Sequence, residues 1–266
     1  MFIIISFILI ITFLILLIGK FKIHPFITLL LTSLIIGKLG GLDNLIIVES
    51  IKSGFGNTLK SIGIIIAFGT IIGTYLNKNG GAFYISNLIL NTIGKNKTSL
   101  AMNITGFFVS IPVFCDSGFI ILSPICQSLS KKIGTSITVL AVSLATGLYA
   151  THVFVPPTPG PLASASIFGA DIGLVLIFGL LIGIPVSLSG WIWSITFCKK
   201  FNISGHFDKI DFNKNINDLV ILPILIPIFL IGLKSIIQNI YFDQSESFYV
   251  SSILFLGEPI ISLMIG

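Results

Sequence analysis

Long apolar stretches joined by short polar segments constrain this chain more than any other feature. The opening "FIIISFILIITFLILLIG" is one, comparable runs cover 61–77, 172–198, 217–240 and 249–266, and a weaker one covers 24–40. About twenty such residues suffice to cross a hydrocarbon layer, where a backbone without water must satisfy its own hydrogen bonds. A helix does that within one segment, and the period-two alternation of a membrane barrel is missing. Composition agrees: 54% of the residues are hydrophobic, 9% are charged and mean hydropathy is +1.07, against roughly a quarter charged in soluble domains. The expected fold is all-α and polytopic. The first run has no basic residue before it and no small-residue cleavage site after it, so it reads as a retained span.

All 15 basic residues are lysine. The planar fork with which arginine grips carboxylates and phosphates is therefore absent. The lysines stand singly or in pairs between apolar runs, which fits loop anchors and not a nucleic-acid surface. With the N-terminus outside, Lys20, Lys22, Lys78, Lys95, Lys97, Lys131, Lys132, Lys199, Lys200, Lys209 and Lys214 fall inside. Lys38, Lys52, Lys60, Lys234 and the acidic "YFDQSESF" then fall near the outer face, as the positive-inside rule asks.

That orientation requires 98–130 to enter and leave on one side. Two full spans would do so, as would a re-entrant hairpin with "PVFCDSG" at its tip. The short arms, with Pro112 and Gly118 at the turn, favour the hairpin. Segment 134–170 must cross once, interrupted by "HVFVPPTPGP". A break that dense removes backbone donors and must line protein or a wet cavity. "GGAFYISNLILNTIG" (80–94) reads as a surface helix.

Cys115, Cys126 and Cys198 are far apart, with no CxxC and no His or carboxylate at ligand spacing. They imply no disulfide framework, metal or cofactor. No HExxH, GxSxG or paired intramembrane Asp motif supports an enzyme.

Gly/Pro-broken segments are where transporters place their binding sites, and here they hold two titratable residues. Asp116 lies in "GFFVSIPVFCDSGFIILSPI", where an unpaired carboxylate costs about 2.5–3.5 kcal/mol at the membrane centre. It is a residue of an ordinary surface turn, a cap for the second arm accepting from the N–H groups of 118 and 119, or a proton carrier in a substrate cavity. Beside an ionised Asp116 an anion is repelled; beside a protonated one it is not. His152 is either a proton switch, a role histidine commonly takes, or a donor to a carbonyl freed near Pro156. Without arginine, a carboxylate must be held by helix N-termini. The arm beginning at Ser117–Gly118 and the half-helix after Pro156, Pro157, Thr158, Pro159 and Gly160 are the two available. Hydroxyls of Ser117, Thr151, Thr158, Ser164 and Ser166 could serve a polyhydroxylated substrate, although Ser164 and Ser166 fit simple back-bonds better. Gly69 and Gly73 form a GxxxG of low specificity, read as close helix approach.

Three stretches in order carry a family resemblance: "GFGNTLKSIGIIIAFGTIIGTYLNKNGGA" (54–82), the Asp116 segment (106–125) and "LATGLYATHVFVPPTPGPLASASIFGADIGLVLIFGLLIGIP" (144–185). Together they resemble the gluconate:proton symporter family of the inverted-repeat ion-transporter superfamily. The resemblance implies one half of an inverted-repeat fold, containing a re-entrant hairpin and a broken helix. It also implies proton-coupled uptake of gluconate or a related sugar acid across the cytoplasmic (inner) membrane, by a homodimer or with a second half-chain. Residues 1–97 would be N-terminal spans with an interfacial helix, 98–170 the transport core, 171–216 a span and cytoplasmic loop, and 217–266 the start of a second half. The sequence departs from the family pattern at Asn77, where an acidic residue is common, and a second set of broken segments does not follow. A carrier of another organic acid, a cation/proton antiporter and an inactive truncated remnant are the alternatives.

Overall fold

The computed structural model describes residues 2–94, 97–201, 218–240 and 248–266. Expectations for Lys95, Lys209, Lys214 and the acidic stretch 241–247 lie outside the described residues. Within them every regular element is helical and none is a strand, as expected. The chain forms two compact units, Met1–Ser61 and Ile62–Gly266.

The first unit holds α1 (Phe2–Gly19), α2 (Pro25–Leu39) and α3 (Asn44–Thr58). Proline opens α2 where its missing N–H would have no helical partner, and His24 Nδ1 accepts from Phe26 N at 3.3 Å. Helix α2 packs on both neighbours. At Gly37 the approach to α3 leaves no room for a side chain, because a Cβ there would stand 2.7 Å from Ile47. With 15 residues and about 1.5 Å per residue, α2 falls short of the roughly 30 Å hydrocarbon core. Its run was correspondingly weak in the sequence. Helix α3 was not foreseen, since Glu49, Lys52 and two glycines dilute its apolar pattern.

A π-helical turn, Leu59–Gly63, leads to the second unit: α4 (Ile64–Lys78), α5 (Gly81–Ile93), α6 (Thr98–Val109), α7 (Cys115–Ile133), α8 (Ile137–Phe154), α9 (Pro159–Phe168), α10 (Ile172–Phe197), α11 (Leu222–Ile240), α12 (Phe248–Leu256) and α13 (Pro259–Ile265). Helix α8 is its centre, contacted by α6, α7, α9 and α10. Small residues permit this, as expected where lipid tails remove the hydrophobic drive between helices. A Cβ on Gly106 of α6 would strike the Leu144 carbonyl, and one on Gly147 of α8 would strike that of Asn103. Polar groups lock the crossing. Asn103 Nδ2 donates to the Ser143 carbonyl (3.0 Å), Thr146 Oγ1 (3.1 Å) and the Ser187 carbonyl (3.2 Å), and its Oδ1 accepts from Ser187 Oγ at 2.9 Å. Ser143 and Ser194 hydroxyls meet at 2.7 Å.

Among the described residues, four helical stretches are long and apolar enough to cross a membrane: Asn44–Lys78, Ile137–Phe168, Ile172–Lys200 and Leu219–Gln238. The final run, expected as one span over 249–266, is two helices bent by 73°. Gly257 is pressed against Lys234 and the Leu230 carbonyl of α11, and Pro259 starts a new helix without donating to the old one. Helix α5 is amphipathic, with Ala82, Ile85, Ser86 and Ile89 buried. It is thus seated in the core cluster through one face, while Leu88 and Thr92 remain exposed.

Candidate functional site

The two Pro/Gly-broken segments meet. Helices α6 and α7 are joined by a five-residue tip, 110–114, in which Ser110 Oγ donates to the Val113 carbonyl at 3.2 Å. The chain between α8 and α9 is interrupted at 155–158, with a cis Pro156–Pro157 bond. Both breaks rest on α4, one helical turn apart. A Cβ on Gly73 would collide with the Pro112 carbonyl of the tip, and one on Gly69 would lie 3.3 Å from the Pro157 ring. The GxxxG pair is therefore the seat of both broken elements, a role its sequence did not reveal. Between them runs a narrow crevice walled by Gly69, Thr70, Pro112, Phe114, Pro157 and Thr158. Ile111, Val155, Leu176 and Ile231 form a small apolar cluster that ties tip and break to α10 and α11.

Asp116 lies in the first turn of α7 and is exposed. It is not the cap: Phe114 holds that position, and the Gly118 N–H bonds the Phe114 carbonyl at 2.9 Å. The capping expectation fails because the helix starts one residue before Asp116. A carboxylate in the first turn of a helix still interacts favourably with the dipole. The Cys115 thiol donates toward Asp116 Oδ1 at 3.7 Å. Ser117 is exposed, whereas Gly118 is buried with Leu148 2.8 Å from where its Cβ would be.

His152, in the last turn of α8, sets its ring edge-on to Phe114 with centroids 6.1 Å apart. Its Nδ1 is buried without a hydrogen-bond partner. The expected donation to a freed carbonyl is thus not made from that nitrogen. Phe114 consequently separates the crevice from His152.

The hydroxyls differ in what they are free to do. Thr151 is buried and donates to the Phe107 carbonyl at 2.9 Å, fastening α8 to α6 away from the crevice. Thr158 walls the crevice and donates to Val155 at 2.7 Å, closing the break, while its oxygen lone pairs remain able to accept. Ser164 back-bonds to Gly160 at 3.1 Å, as its sequence suggested. Pro156, Pro157 and Pro159 shape the break, and Gly160 has open space at its Cβ position. No cluster of His, Cys, Asp and Glu able to hold a metal occurs among the described residues.

Apolar helices packed through small residues around a broken one define a multi-pass α-helical membrane protein of the kind transporters use. The family model described as GntP family permease matches residues 1–266, and the chain belongs to that family. It is 34% identical over 272 residues to an uncharacterized permease of Haemophilus influenzae, covering 95% of this chain and 56% of that protein. The gluconate permease of Pseudomonas aeruginosa is 31% identical (95% and 58% covered), and the D-serine transporter DsdX of Escherichia coli K12 is 34% identical (96% and 59% covered). These relatives are named as permeases and transporters, not enzymes. The chain spans a little over half the length of these relatives. No solved structure matches it.

Proposed function

We propose that this chain forms one half of a proton-coupled carrier that takes up gluconate or a related sugar acid across the inner membrane. The observation that carries the reading is the meeting of the tip and the break on α4, with Asp116 in the turn that follows the tip and His152 edge-on to Phe114 of the tip. In this reading 98–170 is the transport core, re-entering the membrane as a hairpin. Residues 1–97 supply spans and an interfacial helix, 171–216 a span and a cytoplasmic loop, and 217–266 the beginning of a second half.

Anion recognition without arginine falls to α7. Helix α9 begins Pro159–Gly160–Pro161, so two of its first three residues have no N–H to offer. The first turn of α7 keeps the N–H groups of Cys115, Asp116 and Ser117, with about half a positive charge from the helix dipole. Asp116 stands in that same turn. An anion can settle there when the carboxyl is protonated and is repelled when it is ionised, which makes binding of proton and substrate cooperative. Thr158 contributes an acceptor to the substrate's hydroxyls.

The substrate class is that of a small hydroxylated carboxylate. Relatives named for gluconate, L-idonate and D-serine share that chemistry. Uptake of labelled gluconate by vesicles containing this chain, with L-idonate and D-serine as competitors, tests the class. Acid-stimulated gluconate uptake is expected. Uptake of D-serine alone would move the assignment to amino acids, and a cation flux independent of any organic acid would overturn it.

A further inference from the structure

We infer that Lys131, Lys132, Lys199 and Lys200 form a site for the headgroup of an anionic phospholipid, whose acyl chain lies along the aromatic face of α10. Lys131 and Lys132 stand in the last turn of α7, and Lys199 and Lys200 in the single 3-10 turn, Cys198–Lys200, that continues α10. The two pairs are remote in the sequence, but the fold joins them. The Ser136 hydroxyl, just past the Gly134 cap of α7, donates to the carbonyl of Phe201, the neighbour of Lys200, at 3.3 Å. The end of α7, the start of α8 and the end of α10 therefore come together in the second unit.

The charge gathered there is uncompensated. All four lysines are exposed, and among the described residues none of them has an ion-pair partner. The carboxylates among this unit's described side chains stand elsewhere: Asp116 at the opposite end of α7, Asp171 at the opposite end of α10, and Glu258 against Lys234. Ammonium groups drawn together in this way repel one another and gain from a shared anion. Lysine binds phosphate as a point charge, so the missing arginine fork is no obstacle.

The surface beside the lysines selects a lipid over a free anion. Trp193 and Phe197, one turn apart on α10, stack with centroids 4.0 Å apart and 25° between their planes, and both are more than half exposed. Phe201, also exposed, carries this apolar face up to Lys200. A phosphate joined to an apolar tail matches both parts at once. Tryptophan favours the level of the headgroups, and basic pockets between helices on the cytoplasmic side bind anionic ones. In the orientation read from the lysines, this end is cytoplasmic. Nothing in the arrangement depends on which substrate the chain carries.

The chain's 2 tryptophans, Trp191 and Trp193, both lie on this stretch of α10, so intrinsic fluorescence reads the site directly. The test compares its quenching in phosphatidylcholine vesicles that carry the same small fraction of either brominated phosphatidylglycerol or brominated phosphatidylcholine. The brominated phosphatidylglycerol is expected to quench as though enriched about tenfold beside the tryptophans, since each lysine near a membrane surface favours an anionic lipid about fivefold. The pairs Lys131→Gln with Lys132→Gln, and Lys199→Gln with Lys200→Gln, should each lower that enrichment several-fold, whereas arginine at all four positions should retain it. Equal quenching by the two lipids in the unsubstituted chain overturns the proposal, and so does an enrichment that survives both glutamine pairs. An enrichment abolished by inorganic phosphate, but not by sodium chloride of equal ionic strength, would assign the lysines to a free phosphate and overturn the lipid.

Discussion

At the scale of single residues, the hydroxyls and amides of the core divide by what they already bond. Thr158, in the wall of the crevice, spends its proton on the Val155 carbonyl and keeps an oxygen able to accept. Thr158→Val is expected to raise the KM for gluconate about tenfold, the worth of one hydrogen bond near 1.4 kcal/mol, whereas Thr158→Ser preserves it. Unchanged KM in the valine variant would remove Thr158 from the site. Asn103 is a contrasting case, since all its bonds go to α8 and α10. Asn103→Leu should lower thermal stability in detergent by about 1–2 kcal/mol. Any change in proton coupling there would contradict its structural role. Sequence inspection singled out Asp116 and His152 because each is a titratable residue in a long apolar stretch. It could not separate Thr151 from Thr158, because which hydroxyl is committed to a neighbouring helix depends on packing.

At the scale of elements, α4 is the platform. Its glycines look like any apolar GxxxG, yet a Cβ on Gly73 would strike the backbone of the tip, while one on Gly69 would first meet the ring of Pro157 at 3.3 Å. Gly73→Ala should therefore displace the tip and cost about 1–3 kcal/mol, the usual penalty of overpacking. Gly69→Ala should cost less, because a ring carbon at 3.3 Å can yield. Thermal unfolding of both variants checks the order, and an inverted order would refute the docking. The tip and break themselves were legible, since proline and glycine punctuate the chain wherever they occur. The bend at Gly257–Glu258 was not, because its apolar run hides a junction fixed from α11. There Lys234 Nζ meets Glu258 Oε2 at 2.5 Å, with 17% of the lysine side chain and 51% of the glutamate side chain exposed. Glu258→Gln, which leaves a mostly buried ammonium unpaired, should destabilise more than Lys234→Met, which keeps the packed stem. Equal effects in a melting experiment would show the pair to be incidental.

At the scale of the whole molecule, apolar run length announced a polytopic α-helical protein, and the lysine pattern announced an orientation. The all-α class follows from hydrogen-bond satisfaction in lipid, so little besides hydropathy was needed to read it. Run length set α2 and α6 apart as short, but it did not show that the final run is two helices, because α12 and α13 are both apolar on either side of the bend. The topology has a direct check: cysteines introduced at Lys97 and Lys131 in a cysteine-free background should be labelled from the same, cytoplasmic side. Labelling from opposite sides would replace the re-entrant hairpin with a single crossing.

The central claim is that the Asp116 carboxyl, in the first turn of α7, couples proton to anion. It is tested most directly by comparing two assays of Asp116→Asn in vesicles: gluconate uptake driven by an imposed acid-outside gradient, and exchange of labelled for unlabelled gluconate at equal pH. Loss of the driven uptake with exchange retained is the predicted result. Driven uptake at the unsubstituted rate would contradict the account, whatever exchange did.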